Sequence, residues 1–176
     1  MHHKRHLRTL PLGTEKFLAV FEGLEGGFAI GAGVLAGLSF ASLDRRILLM
    51  TAIVTIIVSG FNSASVKYSS EHYIDELDGR ETRHPFQAYF IPAFFEFIAY
   101  FVISFISILP IVFMGNMPHA ILYSCGITVC ILLGAGYWRA TLLGAARWRD
   151  ASETAILGLG IIFVGFAAGW ITHNLT

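Results

Sequence analysis

The sequence predicts an all-α integral membrane protein, a bundle of five transmembrane helices. Three observations lead there. Of 176 residues, 55% are apolar and 14% are charged, against about a quarter charged in ordinary soluble domains. The apolar residues fall into five runs, 17–43, 47–66, 86–114, 120–138 and 154–172, each near or above the roughly 20 residues that cross a bilayer core. The connectors are short, the longest being 67–85, so no second domain fits. With a mean hydropathy of +0.66, a soluble chain would leave much apolar surface wet. That excludes the soluble, disordered, nucleic-acid-binding and disulfide-scaffold classes.

Basic residues orient the spans. Lys4, Arg5, Arg8 and Lys16 lie in a basic arm at 1–16, Lys67, Arg80 and Arg83 in the second connector, and Arg139, Arg147 and Arg149 in the fourth. Alternating connectors place all ten on one side. Only Arg45 and Arg46, beside Asp44, fall on the other. The positive-inside bias therefore predicts a cytosolic amino terminus and an outer tail at 173–176, in a bacterial inner membrane or an organelle membrane. A cleaved signal at Ser39-Phe40-Ala41 is not expected, because the run before it is too long and holds Glu22 and Glu25. His2, His3 and His6 are expected to meet anionic headgroups together with their basic neighbours.

On a helical wheel the first span gathers Glu22, Glu25, Gly26, Ala29, Gly33, Ala36 and Gly37 on one face. Small residues spaced by four allow close helix approach in lipid. This face is expected to need a partner, which predicts a homodimer with the first span at its interface. An acid on a span costs at least about 2.5 kcal/mol on insertion scales. No Lys or Arg is expected at the depth of Glu22 and Glu25, so their repulsion calls for a shared cation or proton.

The second span carries a polar stripe, Thr51, Thr55, Ser59 and Asn62, continuing to Ser69. It predicts either interhelical hydrogen bonding or a hydrated path. The helix pattern runs on into Glu71, His72, Asp75 and Glu76, where carboxylate and imidazole groups at i,i+4 suit a divalent transition metal.

The third span has two faces. Phe86, Phe90, Phe94, Phe97, Phe101 and Phe105 form a stripe for lipid or a neighbouring subunit, while Pro92, Glu96, Tyr100 and Ser107 face the bundle. Met114 and Met117 read as filler. In the fourth span, Cys125 and Cys130 lie too far around the helix to pair. No span holds a central His for haem, and no nucleophile–base pair points to a hydrolase. The chain is not expected to be an enzyme or to hold a tightly bound cofactor.

Several stretches together resemble the vacuolar iron transporter family. Glu22-Gly23-Leu24 followed by Phe28-Ala29-Ile30-Gly31-Ala32-Gly33 is similar to that family's first span, and Ser65-Val66-Lys67-Tyr68-Ser69 to the end of its second. His84-Pro85-Phe86-Gln87-Ala88 resembles the entry to its third span and Ile106-Ser107-Ile108-Leu109-Pro110 the exit. Gly136-Tyr137-Trp138-Arg139-Ala140 with Trp148-Arg149 and Leu157-Gly158 resembles the link between its last two. The resemblance implies a homodimer that exchanges cytosolic Fe2+ or Mn2+ for protons, passing metal between first and second spans of two subunits. It implies metal contact at Glu22, with Glu25 close by. The family's second-span Glu and Met are absent, and Asn62 or Ser63 stands near their positions, with Ser59, Glu96 and Tyr100 as further candidates for the path. The long acidic domain of plant members is reduced here to 67–85. The competing expectation is a structural or regulatory membrane subunit whose acids serve folding and pairing. A transporter of organic cations would rest on Glu96 with Tyr100 alone.

Overall fold

The computed structural model describes residues 14–41, 44–79 and 84–175. The basic arm up to residue 13, with its three histidines, and Arg80 and Arg83 lie outside the described residues. Five long helices account for most of the remainder: α1 (Thr14–Leu38), α2 (Arg45–Leu77), α3 (Ile91–Phe113), α4 (Met117–Leu143) and α5 (Arg147–Leu175). All are long and apolar enough to span a membrane, and no strand occurs among the described residues. A 3-10 turn at Ser39–Ala41 ends α1, and a π-helical turn at Phe86–Phe90 leads into α3.

Local chemistry sets the ends. The Asn116 side chain accepts from the His119 backbone N–H at the start of α4, and Pro118 sits in the first turn. Gly144 ends that helix at φ 68°, in the left-handed region that glycine enters most easily. At the end of α3 the Arg45 guanidinium donates to the Ile111 and Val112 carbonyls, which have no partner within their own helix. The start of α2 is thereby tied to the end of α3.

The central helix is α1, which packs most extensively on α3 and next on α5. Glycines make both approaches possible. A Cβ at Gly27 would lie 2.5 Å from the Tyr100 carbonyl oxygen, and one at Gly37 2.8 Å from that of Gly165. The small-residue face of α1 therefore finds its partners inside its own chain. The expectation that it needs a second chain is corrected: Ala29 is 2% exposed and packed with Phe28 and Leu132. The main core joins Leu35, Leu48, Ile56, Tyr100, Ile108 and Ile111. Large apolar side chains on α2 and α5 point outward, as a lipid-facing surface requires.

The inward face of α3 matches the sequence reading, whereas the outward Phe stripe holds only over its first half: Phe97, Phe101 and Phe105 are half-buried, Phe101 against the main core. Pro92, Glu96, Tyr100 and Ser107 are buried. Phe86, Phe90 and Phe94 are exposed, with successive rings stacked. Met114 and Met117 pack against the core edge, and Cys125 and Cys130 are free.

Candidate functional site

Most of the described charged side chains collect at one end of the bundle, where α1, α3 and α5 begin and α2 and α4 end, with Asp44, Arg45 and Arg46 at the other. Two separate networks form there. In the first, the Lys67 ammonium of α2 lies 2.6 Å from a Glu22 oxygen of α1 and 2.9 Å from a Glu71 oxygen one turn along α2. Lys67 is 10% exposed, so one nearly buried cation is shared by two carboxylates. In the second, Arg139 of α4 donates to Glu25 at 2.5 Å and to the Thr154 hydroxyl at 3.4 Å. Asp150 of α5 stands 4.0 Å from the same guanidinium.

These networks correct the expectation that no Lys or Arg reaches the depth of Glu22 and Glu25. Along α1 alone, Lys16 is the nearest basic residue. The docked helices bring Lys67 and Arg139 alongside, one to each acid. The two acids thus belong to different networks, although they are three residues apart.

A third group lies deeper, between α1, α2 and α3. Glu96 is 3% exposed; its Oε1 accepts from the Ser63 hydroxyl, and its Oε2 is buried without a hydrogen-bond partner. One turn on, Tyr100 is fully buried, and its ring fills the slot left by Gly26 of α1 and Gly60 of α2. A Cβ at Gly60 would lie 2.8 Å from that ring. The Tyr100 hydroxyl is also buried, with the Ser59 hydroxyl beside it.

Asn62 is not part of this cluster. It is exposed on α2, and its neighbour Ser63 makes the contact to the buried acid. The polar row on α2 is accordingly Thr51, Thr55, Ser59, Ser63, Lys67 and Glu71, all spaced by four, rather than a stripe through Asn62 and Ser69. It runs beside the buried row Leu48, Ala52, Ile56, Gly60 and Ala64. Rows spaced by four form the ridges by which helices pack, so the polar row follows the seam between α2 and the rest of the bundle.

The acidic end of α2 is divided among partners. Glu71 joins Lys67. Asp75 accepts from the Tyr89 hydroxyl at 3.0 Å. The His72 ring packs against those of Tyr68 and Tyr89, which also touch each other, its Nδ1 is buried without a hydrogen-bond partner, and Glu76 is exposed. Among the described residues, no three His, Cys, Asp or Glu side chains converge as a metal-holding group. Sequence reading missed Lys67 and Arg139. For Lys67 the signal was present, since it lies four residues before Glu71, a helical ion-pair spacing.

The family model of the VIT family matches residues 64–170. The chain belongs to the VIT family. It is thus a multi-pass membrane protein of a metal-ion transporter family, and its five helices are long and apolar enough to span a membrane. The stretch matched in this VIT-family chain includes Lys67, Glu71, Glu96 and Arg139; α1 precedes it. No curated protein matches the chain.

Proposed function

We propose that this VIT-family protein carries Fe2+ or Mn2+ out of the cytosol in exchange for protons, working as a homodimer. The observation that carries the reading is the Lys67 ammonium held between Glu22 and Glu71. Two carboxylates from different helices already converge on one positive charge. A divalent ion interacts more strongly with the same oxygens than a monovalent ammonium does. Carboxylate oxygens suit Mn2+ and related ions. The metal enters at the end of the bundle rich in basic residues, which the positive-inside bias assigns to the cytosol. Glu22 is its first ligand, with Glu71 beside it and His72, Asp75 and Glu76 gathering ions at the entrance.

The test is flux into proteoliposomes that contain a Mn2+-quenched dye. Wild-type protein is expected to admit Mn2+ faster when the lumen is acidic, and Glu22→Gln is expected to abolish the flux with folding intact by thermal melt. No Mn2+ flux in wild type, and no Mn2+-dependent rise in its melting temperature, would favour a structural membrane subunit. The specific support for that second reading is that Glu22 and Glu25 each already pair with a basic side chain.

A further inference from the structure

We propose that Glu96 binds the counter-transported proton and that Lys67 couples it to the metal, an inference that rests on the exchange reading above. Glu96 is the buried acid on the polar seam of α2, and one of its oxygens has no hydrogen-bond partner. A bare carboxylate in such a place loses its hydration without full replacement, and a proton removes that cost. The groups facing it are few. From α1 comes Glu22; from α2 come Ser63, Lys67 and Glu71; on its own helix Tyr100 follows one turn later. Glu25 lies further round α1 and is held by Arg139.

Lys67 stands four residues after Ser63, so the same helix edge presents it to both places. In the metal-free protein it neutralises Glu22 and Glu71, leaving Glu96 to be neutralised by a proton. When a divalent cation takes the Glu22 and Glu71 oxygens, it displaces the ammonium. The displaced Lys67 then pairs with Glu96, whose proton leaves. Metal at one place and proton at the other thus exclude each other.

A row of hydroxyls leads outward from this acid. The seam continues from Glu96 through Tyr100 and Ser59 to Thr55 and Thr51. Those two threonines line an open lateral groove of about 870 Å³ between α1, α2 and α5, with Thr172 and His173 at its far end. From Glu71 to Thr51 the row covers about 30 Å at 1.5 Å per residue, the thickness of a bilayer core.

Two measurements test this. In infrared difference spectra of the purified protein in lipid, the carbonyl band of a buried protonated carboxylic acid is expected without metal. It should disappear when Mn2+ is added and be missing from Glu96→Gln. In proteoliposomes, Glu96→Gln is expected to pass Mn2+ down its own gradient while losing both acceleration by a pH gradient and metal-driven proton movement. Glu96→Asp, which keeps the acid, should restore coupling. A band that ignores Mn2+ or survives Glu96→Gln, or unchanged proton movement in that variant, would overturn the proposal. If wild type moves no Mn2+ at all, the transport reading fails separately. The infrared response of wild type shows whether a buried acid gives up its proton to Mn2+, and Glu96→Asp, which should shift the band without removing it, assigns that acid to Glu96.

Discussion

The Lys67 ammonium lies 2.6 Å from the carboxylate of Glu22, 45 residues earlier in the chain. The two meet because α2 does not stop at the end of its apolar run. It continues as one helix to Leu77 and brings its polar extension back beside the first turns of α1. The pair joins the α1 acid to Glu71, so the charged cluster is built across two helices.

Lys67→Met should expose that arrangement. Without the ammonium, Glu22 and Glu71 repel each other, and metal-free stability is expected to fall by about 1 kcal/mol, the modest figure suited to a half-exposed partner. Mn2+ should then bind more tightly, since nothing has to be displaced. Thermal melts across a Mn2+ titration measure both effects. A midpoint concentration equal to that of wild type would show that Lys67 and the cation do not compete.

Arg139 serves a different purpose. It holds Glu25 at 2.5 Å, and both side chains are less than a third exposed. Arg139→Gln leaves Glu25 and Asp150 without their shared cation. The expected loss is about 2 kcal/mol, below the range for a fully buried pair broken on one side. Adding Glu25→Gln should recover most of it, because the orphaned charge goes too. Glu25→Gln alone should leave the Mn2+ midpoint unchanged, the outcome that separates a structural acid from a metal ligand.

Much of this was legible in the sequence. Apolar run length gave all five spans, and the wheel put Glu96 and Tyr100 inward and Phe86, Phe90 and Phe94 outward, since side-chain periodicity is a local property of each helix. Phe97, Phe101 and Phe105 are half-buried because neighbouring helices cover that end of the stripe. The pairing of Arg139 with Glu25 was not legible, because the two are 114 residues apart and meet only through the docking of α4 on α1. The polar row on α2 was read one residue off, through Asn62 instead of Ser63. Both fit a helical spacing, three or four from Ser59, and the face that α2 turns to the bundle on docking decides between them. The π-helical turn before α3 was not anticipated.

The α1–α5 contact predicts a contrast between two glycines of the same helix. A Cβ at Gly165 would collide with the Gly33 carbonyl oxygen, whereas one at Gly160 meets nothing within 4 Å. Gly165→Ala is expected to cost about 1–3 kcal/mol through forced separation of the helices. Gly160→Ala should be neutral or stabilise by about 0.5 kcal/mol, since alanine suits a helix interior better. Unfolding in mixed micelles measures both. Equal effects would mean that α5 does not rest on α1 backbone to backbone.

Assembly is expected to run through α2 and not through α1. Ala29 and most of the α1 glycine face are already covered by α3, α4 and α5, so a second chain has little to grip there. Asn62 is different. Its amide is exposed on α2 near Val58 and Phe61, which are themselves 62% and 68% exposed. An amide facing lipid lacks hydrogen-bond partners, and a helix from another subunit supplies them, at about 0.6 kcal/mol per contact on average. A two-fold interface through this face sets Asn62 opposite its own counterpart. In protein with Cys125 and Cys130 replaced by serine, Asn62→Cys is therefore expected to cross-link two chains in lipid, while Ala29→Cys is not. Asn62→Leu should weaken the dimer in detergent without lowering the melting temperature of the single chain. A single-chain mass in mild detergent, together with no cross-link from Asn62→Cys in lipid, would rule out the homodimer through α2.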